Sequence, residues 1–322
     1  MNKNMNSSAH NINKLVVIGL GLLGSSLCAA AKKLALAKQV IGISRRQSTI
    51  EIALSKGIID RSVDSVSQLA DEFSEGDVIV LAVPILSFPT ILSECCKSAP
   101  SFVVITDVAS VKASVIETAK SIYGHIPEFF IPGHPIAGSE KSGITAVNSD
   151  LFKEHKVIIT PVKETKSKYI DVVKTLWRRL GADVRFMTPV EHDHVFAATS
   201  HLPHYLAYSL VDTLSREKNA NSIFDHAAGG FRDFTRIAGS DPTMWHDIAV
   251  TNREAILEIM DRYIHNLNYL RSAISNKDSS YLIATFNRSR DVKNSSKNKR
   301  SSLIDYRGGP VTGLKGTIEV PG

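Results

Sequence analysis

The feature that most limits how this chain can fold is a glycine-rich turn between an apolar segment and a helix-forming segment. The apolar run covers residues 14–18, the turn covers residues 19–24, and residues 25–37 are rich in alanine and leucine. In this order the first glycine makes a tight turn, the second lets backbone approach a pyrophosphate, and the third lets the helix pack closely. The pattern predicts a dinucleotide site at the start of a helix, formed by Gly19, Gly21, Leu22, Leu23 and Gly24.

The end of the next predicted strand, residues 39–44, is where a dinucleotide-binding fold contacts the ribose of its cofactor. An acidic residue there favours NAD through the 2′-hydroxyl, but this chain has Ser44, Arg45 and Arg46. Two guanidinium groups and a hydroxyl suit the 2′-phosphate of NADP. We therefore expect NADP+ to be favoured over NAD+; the alternative is that both arginines are solvated loop charges.

Further apolar runs at residues 78–83, 103–107, 129–133 and 157–160 alternate with helix-like segments. This alternation predicts an α/β fold with a Rossmann-type, doubly wound parallel sheet, in which residues 157–160 form the last strand. Ligands of such sheets bind outside the carboxyl ends of the strands. Val83, Pro84 and Ser110 follow strand ends and are predicted to line that crevice, although a serine in the position of Ser110 also suits a helix cap.

Residues 133–143 hold the densest concentration of candidate chemistry and are predicted to form an active-site loop. His134 lies between Pro132 and Pro135, which restrict the backbone on both sides of the imidazole. A histidine is the side chain best suited to accept a proton near neutral pH. His134 is therefore a candidate general base, with a purely structural turn as the alternative.

Beyond residue 162 the pattern becomes helical. Thr188-Pro-Val-Glu191 is a capping box predicted to open a helix that runs to about residue 218, and Asp241-Pro242 is predicted to open another that runs to about residue 276. Apolar residues at helical spacing predict an all-helical dimerisation domain. The predicted organisation is a disordered start (1–13), a dinucleotide-binding domain (14–163), a helical substrate and dimerisation domain (164–290), a linker (291–308) and a final segment (309–322).

The helical part carries His192, His194, His201 and His204, but neither an HExxH pair nor a second Glu-x-x-His element, so no metal site is predicted. His201 and His204 are expected to line a polar pocket, with a core position as the alternative for His201. Arg236, flanked by Phe234 and Ile237, is a candidate for a desolvated grip on a carboxylate or for a structural salt bridge.

The charge and the cysteine content of the chain indicate which ligands and which cellular compartment to expect. The formal net charge is +6, but several basic residues fall within residues 288–300 and form no stripe with aromatic residues, so nucleic-acid binding is not expected. A small acidic substrate suits the positive charge better. The three cysteines form no disulfide or metal-ligand pattern, and no apolar run is long enough to span a bilayer. We expect a cytoplasmic protein without membrane insertion.

Several of these motifs, in this order, resemble the prephenate dehydrogenase family over roughly residues 14–290. They are the glycine turn, Asp107-Val-Ala-Ser110-Val-Lys112, Gly133-His-Pro-Ile-Ala-Gly138-Ser-Glu140, Ser200-His-Leu-Pro-His204, Phe234-Thr-Arg236 and Asp241-Pro-x-Met-Trp245. The resemblance implies oxidative decarboxylation of prephenate, or of its amino analogue arogenate, with hydride transfer to NAD(P)+ in tyrosine biosynthesis, by a homodimer.

The resemblance also implies roles for individual residues. His134 matches the catalytic histidine, Ser110 the serine that orients it and the substrate hydroxyl, and Arg236 the arginine that binds a substrate carboxylate. Other matched positions surround the substrate: Ser200, His201, His204, Gly229, Glu140 and Trp245, with Trp245 expected to reach the pocket of the partner subunit. The pair Ser44-Arg45 departs from NAD-specific members, which have an acidic residue there.

Rival interpretations remain open at this stage. A hydroxyacid dehydrogenase would use a catalytic lysine in the helical domain, and the long helices there offer few. A non-catalytic dinucleotide-sensing protein would keep the glycine turn but leave His134, Ser110 and Arg236 without a role. Residues 309–322 resemble the opening of enolpyruvylshikimate-phosphate synthase, which predicts that the chain is the dehydrogenase part of a fusion with that enzyme.

Overall fold

The computed structural model describes residues 12–138 and 143–302, with side chains up to residue 295. The predictions for residues 1–11, for Glu140 and for residues 303–322 lie outside the described residues. Within the described ranges the strands are β1 (Ile12–Ile18), β2 (Ala37–Ile43), β3 (Arg61–Ser62), β4 (Val78–Leu81), β5 (Val104–Asp107), β6 (Phe130–Ile131), β7 (Gly133–Pro135), β8 (Lys156–Ile159) and β9 (Asp183–Phe186).

The helices of the first half follow the strands in alternation: α1 (Leu22–Lys33), α2 (Gln47–Ser55), α3 (Phe88–Ser98), α4 (Ala113–Tyr123) and α5 (Ser167–Arg179). The second half is helical: α6 (Pro189–Phe196), α7 (Leu202–Ser215), α8 (Ala220–Asp225), α9 (Gly229–Thr235), α10 (Pro242–Thr251), α11 (Arg253–Ser275) and α12 (Ser279–Ser302). Short 3-10 turns occur at Val66–Glu72, Ile85–Ser87, Ile144–Ala146 and Arg236–Gly239.

Within residues 12–131, six parallel strands form a sheet in the order β3-β2-β1-β4-β5-β6. This is the strand order of a doubly wound dinucleotide-binding fold, so the predicted fold class is confirmed. The central strands read as continuous apolar runs because helices cover both faces of the sheet, and Val16, Val40, Ile79 and Ile105 are fully buried. The order reverses between β1 and β4, which places a crevice beyond the carboxyl ends of these two strands.

A second sheet of three strands among the described residues, β7-β8-β9, corrects two predictions. Residues 157–160 are not the last strand of the dinucleotide-binding part. They are followed in the chain by α5 and then by β9, and β9 pairs with β8. Helix α5 buries Val173, Leu176 and Trp177 in the same core as the main sheet. The apolar face of α5 thus continues this core past residue 163, where the sequence pattern changes to helix. His134 lies within β7 rather than in a loop.

The helical half begins as predicted but is interrupted at two points. Thr188 Oγ accepts a hydrogen bond of 3.2 Å from the backbone N–H of Glu191, and Pro189 is the first helical residue. A π-helical turn, Ala197–His201, separates α6 from α7, and a break at Asn252 separates α10 from α11. The two long helices expected from the sequence are therefore each divided, and the buried side chains at the two divisions, His201 and Asn252, are in contact with each other.

The described residues up to Met260 form one compact unit, and those from Asp261 onward form a second. Helix α12 extends through residues 291–302, where the sequence pattern predicts the start of a linker. Among the described residues, no helix has the length and apolar character needed to cross a bilayer.

Candidate functional site

The glycine turn lies between β1 and α1 and has the shape that a dinucleotide requires. Gly19 has φ of +100°, and a Cβ there would lie 2.3 Å from the carbonyl oxygen of Ala82. A Cβ on Gly24 would lie 1.9 Å from the carbonyl oxygen of Gly19, so helix and turn pack too closely for any side chain. A Cβ on Gly21, by contrast, would meet nothing within 4 Å. The open space at Gly21, at the start of α1, fits the phosphates of a dinucleotide.

The neighbouring strand ends complete this crevice. Val83 follows β4 and its Cγ1 lies 3.0 Å from the position of a Cβ on Gly19, while Pro84 is exposed beside it. Leu22 and Leu23 are half-buried at the start of α1. Beyond β2, Ser44 Oγ accepts a hydrogen bond of 3.3 Å from the backbone N–H of Arg46. Arg45 and Arg46 are exposed, and neither forms an ion pair with another described residue.

His134 is 9% exposed and lies on β7, next to the carboxyl end of β5. The residue before it, Gly133, is held on both sides of its backbone by one buried ion pair. Lys112 Nζ donates a hydrogen bond of 2.7 Å to the carbonyl oxygen of Gly133 and also contacts the carboxylate of Asp107. Asp107 Oδ1 in turn accepts a hydrogen bond of 3.1 Å from the N–H of Gly133. The pair Lys112–Asp107, fully buried, thus fixes the backbone from which His134 projects.

The imidazole of His134 is joined to helix α6. Its Nδ1 lies 2.8 Å from Nε2 of His192, and Nδ1 of His192 lies 2.7 Å from Oδ1 of Asp193. Asp193 also accepts hydrogen bonds of 2.8 Å from the backbone N–H groups of Lys112 and Ala113. His134 makes no hydrogen bond through Nε2 to any residue that the structure describes. That nitrogen is therefore the one available to a substrate.

The electrostatics of the site favour neutral imidazole rings. Burial, followed by the charges of His192, Lys112 and His201, lowers the pKa of His134 well below its usual value. Burial also lowers the pKa of His192, against the opposing effect of Asp193. Because a lowered pKa keeps a histidine unprotonated at neutral pH, His134 is in the state that a general base needs.

A second group of rings lies along the π-helical turn and α7. His201 is buried, and burial lowers its pKa to about 4. Asn252 links it to the first group, since Nδ2 of Asn252 lies 3.1 Å from Nδ1 of His201 and 3.0 Å from the carbonyl oxygen of Asp193. His204 donates from Nδ1 to the carbonyl oxygen of Ser200 at 2.9 Å and stacks on Trp245, with ring centroids 3.7 Å apart. The charge of His204 contributes to this lowered pKa of His201, after burial and the charge of His192.

The remaining site residues predicted from the sequence differ in burial and in what they contact. Ser110 is half-buried in the turn after β5 but makes no hydrogen bond to His134 among the described residues, because His134 Nδ1 faces His192 instead. Arg236 begins a 3-10 turn and is exposed, so the expected desolvation is absent; it is near enough to His204 to lower its pKa, after burial. Gly229 is exposed at the start of α9. Trp245 is 6% exposed and stacks on a histidine of its own chain.

His192, Asp193 and the buried pair Lys112–Asp107 are parts of this site that were not predicted from the sequence. His192 was a candidate only as a metal ligand, and the described residues contain no cluster of metal-ligating side chains. The available signal was the sequence His192-Asp193 early in a capped helix, since a carboxylate often holds the Nδ1–H of a histidine and so sets its tautomer. Which histidine the pair would reach is decided by the packing of α6 against β7.

Comparisons with known proteins agree with this geometry. Residues 27–186 match the family model described as prephenate dehydrogenase, nucleotide-binding domain, and residues 188–288 match the one described as prephenate dehydrogenase, dimerization domain. The chain is 34% identical to the cyclohexadienyl dehydrogenase of Zymomonas mobilis over 87% of its own length and 94% of that protein. Residues 309–322 lie beyond both matched ranges.

Two solved structures are similar over most of the chain. The crystal structure of prephenate dehydrogenase from Aquifex aeolicus, in complex with hydroxyphenyl propionate and NAD+, has a TM-score of 0.79 at 32% identity, covering 90% of this chain and 98% of that one. Arogenate dehydrogenase from Synechocystis has a TM-score of 0.73 at 29% identity, covering 89% of this chain and 99% of that one.

Proposed function

The chain belongs to the prephenate dehydrogenase family of NAD-dependent oxidoreductases, and from this membership we propose that it converts prephenate to 4-hydroxyphenylpyruvate. The reaction removes a hydride from the ring carbon that bears the hydroxyl and releases the ring carboxylate as CO2. The observation that carries the proposal is the buried, neutral His134, whose Nε2 has no partner among the described residues. It lies beside the crevice of a dinucleotide-binding sheet.

The protein's contribution to this reaction is alignment and proton transfer. When bound, the nicotinamide cofactor accepts the hydride. The backbone at Gly19, Gly21 and the start of α1 would hold its phosphates, with Val83 at the strand end beside them. His134 accepts the proton of the ring hydroxyl at Nε2 as the hydride leaves. Loss of CO2 then makes the ring aromatic, which renders the step irreversible in practice.

The substrate carries two carboxylates, which call for cationic and hydrogen-bonding side chains in the pocket. We assign to Arg236 the binding of one carboxylate, supported by its exposure and its position near His204. His201, His204 and Trp245 would form the wall of the pocket, since both histidine rings pack against Trp245 and the charge of His201 acts on His134. Ser110 would donate to the substrate hydroxyl. Ser200 and Gly229 would border the pocket through their backbone.

The proposed cofactor preference is for NADP+. Arg45 and Arg46 are exposed at the end of β2 and their side chains bind no other described residue, so both guanidinium groups are available to a 2′-phosphate. Ser44 already holds this turn through its contact with the N–H of Arg46. The competing interpretation is that both side chains remain in solvent and the enzyme prefers NAD+.

The test is steady-state formation of reduced cofactor with prephenate and with arogenate, each with NADP+ and with NAD+. We expect turnover of prephenate, with the larger kcat/KM for NADP+. Replacing Arg45 and Arg46 together by alanine should lower kcat/KM for NADP+ about 10- to 100-fold, because two charge-assisted hydrogen-bonding groups are lost, and leave the value for NAD+ nearly unchanged. The control is Lys38→Ala, which removes an exposed positive charge at the other end of β2.

Each contrary outcome has a distinct meaning. An unchanged ratio in the double variant would remove the two arginines from cofactor selection. Turnover of arogenate alone would keep His134 and change the substrate, as the likeness to an arogenate dehydrogenase allows. Cofactor binding without turnover of either acid would favour the dinucleotide-sensing interpretation.

We further propose that the protein is a homodimer, with contacts made by the helices of the second unit. In that unit α11 and α12 expose large apolar side chains: Ile264, Leu267 and Ile274 on α11, and Ile283 and Phe286 on α12, each 48–61% exposed. Apolar faces of this kind are usually covered by a partner. The match of residues 188–288 to a dimerization domain supports the same assignment.

The oligomeric state can be measured by sedimentation equilibrium. We expect twice the mass of the chain for the wild type and a shift to monomer for Leu267→Asp, because a buried carboxylate at a dimer contact is strongly unfavourable. Asn266→Asp introduces the same charge at the preceding, exposed position of α11 and serves as the control. A wild-type monomer at micromolar concentration, or a dimer in the Leu267→Asp variant, would contradict the assignment.

A further inference from the structure

We propose that His192 and Asp193 act as positioning residues for His134, fixing its tautomer and receiving the proton that it takes from the substrate. The inference deepens the proposed function and rests on it, because it assumes that His134 is the base. It stands on the two contacts that join the three side chains, His134 Nδ1 to His192 Nε2 at 2.8 Å and His192 Nδ1 to Asp193 Oδ1 at 2.7 Å.

The direction of both hydrogen bonds follows from the carboxylate of Asp193, which ends the chain of contacts from His134 through His192. A carboxylate only accepts, so Nδ1 of His192 carries a proton and donates it to Asp193. In a neutral ring the other nitrogen then has the lone pair, so Nε2 of His192 accepts from Nδ1 of His134. With its proton on Nδ1, His134 has its lone pair on Nε2. Asp193 therefore sets, through two rings, which nitrogen of His134 can act as the base.

The same chain of contacts provides an acceptor, His192, for the positive charge that arises when His134 takes the proton of the substrate hydroxyl. As His134 Nε2 takes the hydroxyl proton, the proton on its Nδ1 moves to Nε2 of His192. His134 is again neutral, with the proton now on Nε2, and His192 becomes an imidazolium that faces the carboxylate of Asp193. The hydride leaves to the nicotinamide cofactor, the ring carboxylate leaves as CO2, and His192 returns its extra proton through His134 to solvent after each turnover.

The surroundings make His192 the better place for the positive charge. His134 is faced by Lys112 and His201 in addition to His192, and these charges, after burial, lower its pKa. His192 is faced by the carboxylates of Asp193 and Asp107 as well as by Lys112. Phe196 packs against both rings, with centroids 4.9 Å from His134 and 4.5 Å from His192, and keeps water away from the contact between them.

The carboxylate itself is held firmly for this role. Asp193 accepts backbone N–H bonds of 2.8 Å on each of its oxygens, from Lys112 on Oδ1 and from Ala113 on Oδ2. These donors come from the segment that leads into α4, and the same Lys112 also holds the carbonyl of Gly133. Both ends of the chain of contacts, Asp193 and His134, are therefore anchored to one element. This is the arrangement expected when small displacements of the base would reduce the rate.

The first test does not depend on activity. Long-range ¹H–¹⁵N correlation spectra of the protein, recorded with and without NADP+, report the tautomer of each histidine directly. We expect Nδ1–H for both His134 and His192 at pH 7.5, with signals identified by their loss in His134→Asn and His192→Gln. Nε2–H on His134 would overturn the inference, whatever the enzyme's substrate proves to be.

The second test is kinetic and uses His192→Gln, whose side-chain carbonyl can still accept from His134 but cannot take a proton. We expect kcat with prephenate to fall about 100-fold, within the contribution of a general base, while KM and cofactor affinity stay nearly unchanged. The acid limb of the pH profile of kcat/KM should move to lower pH by about half a unit or more. His192 is the member of the His134–His192 pair that binds a proton first, and glutamine in its place cannot bind one. His194→Gln, an exposed histidine on the same helix, is the control and should change neither.

A third variant separates the charge of Asp193 from its place in the fold. In Asp193→Asn the amide oxygen can still accept from the N–H of Lys112 and from Nδ1 of His192, so the tautomers are kept, but the neutral amide no longer stabilises the imidazolium of His192. We expect kcat to fall and the acid limb of kcat/KM to move to lower pH, as in His192→Gln. If His192 and Asp193 had a purely structural role, these variants would lower stability without moving the acid limb of the kcat/KM profile. Equal kcat in His192→Gln and wild type would also refute the relay. If the wild type has the expected tautomers but turns over neither prephenate nor arogenate, the proposed function fails while the hydrogen-bonded chain stands.

Discussion

Replacing His134 by asparagine should lower kcat for prephenate by about 10²–10⁴-fold, the contribution typical of a positioned general base. Asparagine keeps a polar group on β7 but cannot accept a proton at neutral pH. The affinity for the cofactor should change little, because the glycine turn that holds its phosphates is on another segment. The measurement is kcat, KM and the cofactor dissociation constant for the variant, with prephenate and NADP+.

The matched control is His125→Asn, the same chemical change at an exposed histidine, which should behave as the wild type. Near-normal turnover in His134→Asn would remove His134 from the role of base. A loss of cofactor affinity with little loss of kcat would place His134 against the cofactor instead of the substrate hydroxyl. The two results are distinguishable in a single set of titrations.

Replacing Lys112 by methionine should lower the free energy of unfolding by about 3–5 kcal/mol, because it leaves the fully buried carboxylate of Asp107 without its partner. Burial raises the pKa of Asp107 and lowers that of Lys112, so each depends on the other's charge to stay ionised. The same substitution frees the carbonyl of Gly133, so kcat should also fall at temperatures where the variant is folded. Urea unfolding followed by circular dichroism gives the stability.

The control is the double variant Asp107→Asn with Lys112→Met, which removes both charges. It should be more stable than Lys112→Met alone, because a neutral amide is far less costly to bury than an unpaired carboxylate. A single variant as stable as the wild type, or a double variant less stable than the single one, would show that the pair does not hold the backbone beneath His134.

Much of the dinucleotide-binding half could be predicted from local sequence because its signals are local. Strand, glycine turn and helix are consecutive, and a Cβ at Gly24 is excluded by contact with Gly19, only five residues earlier. Alternating apolar runs give the strands of a doubly wound sheet, with their order following from handed connections. The resemblance of the His134 segment to the prephenate dehydrogenase family also rests on a short motif. By contrast, β9 (Asp183–Phe186) was not predicted, because its alternation of polar and apolar residues covers only four positions and none of them is fully buried.

The sequence by itself determined the fold class, the cofactor turn and the identity of the candidate base. Only the tertiary structure decided what His134 touches. Its partner, His192, is 58 residues away, and nothing in either local pattern states that β7 and α6 pack with Nδ1 and Nε2 at 2.8 Å. The burial that lowers the pKa of His134 arises the same way, from elements distant in the chain that together exclude water. Local sequence sets backbone conformation, but the charge state of a buried side chain depends on everything packed around it, and that is defined only when the chain has folded.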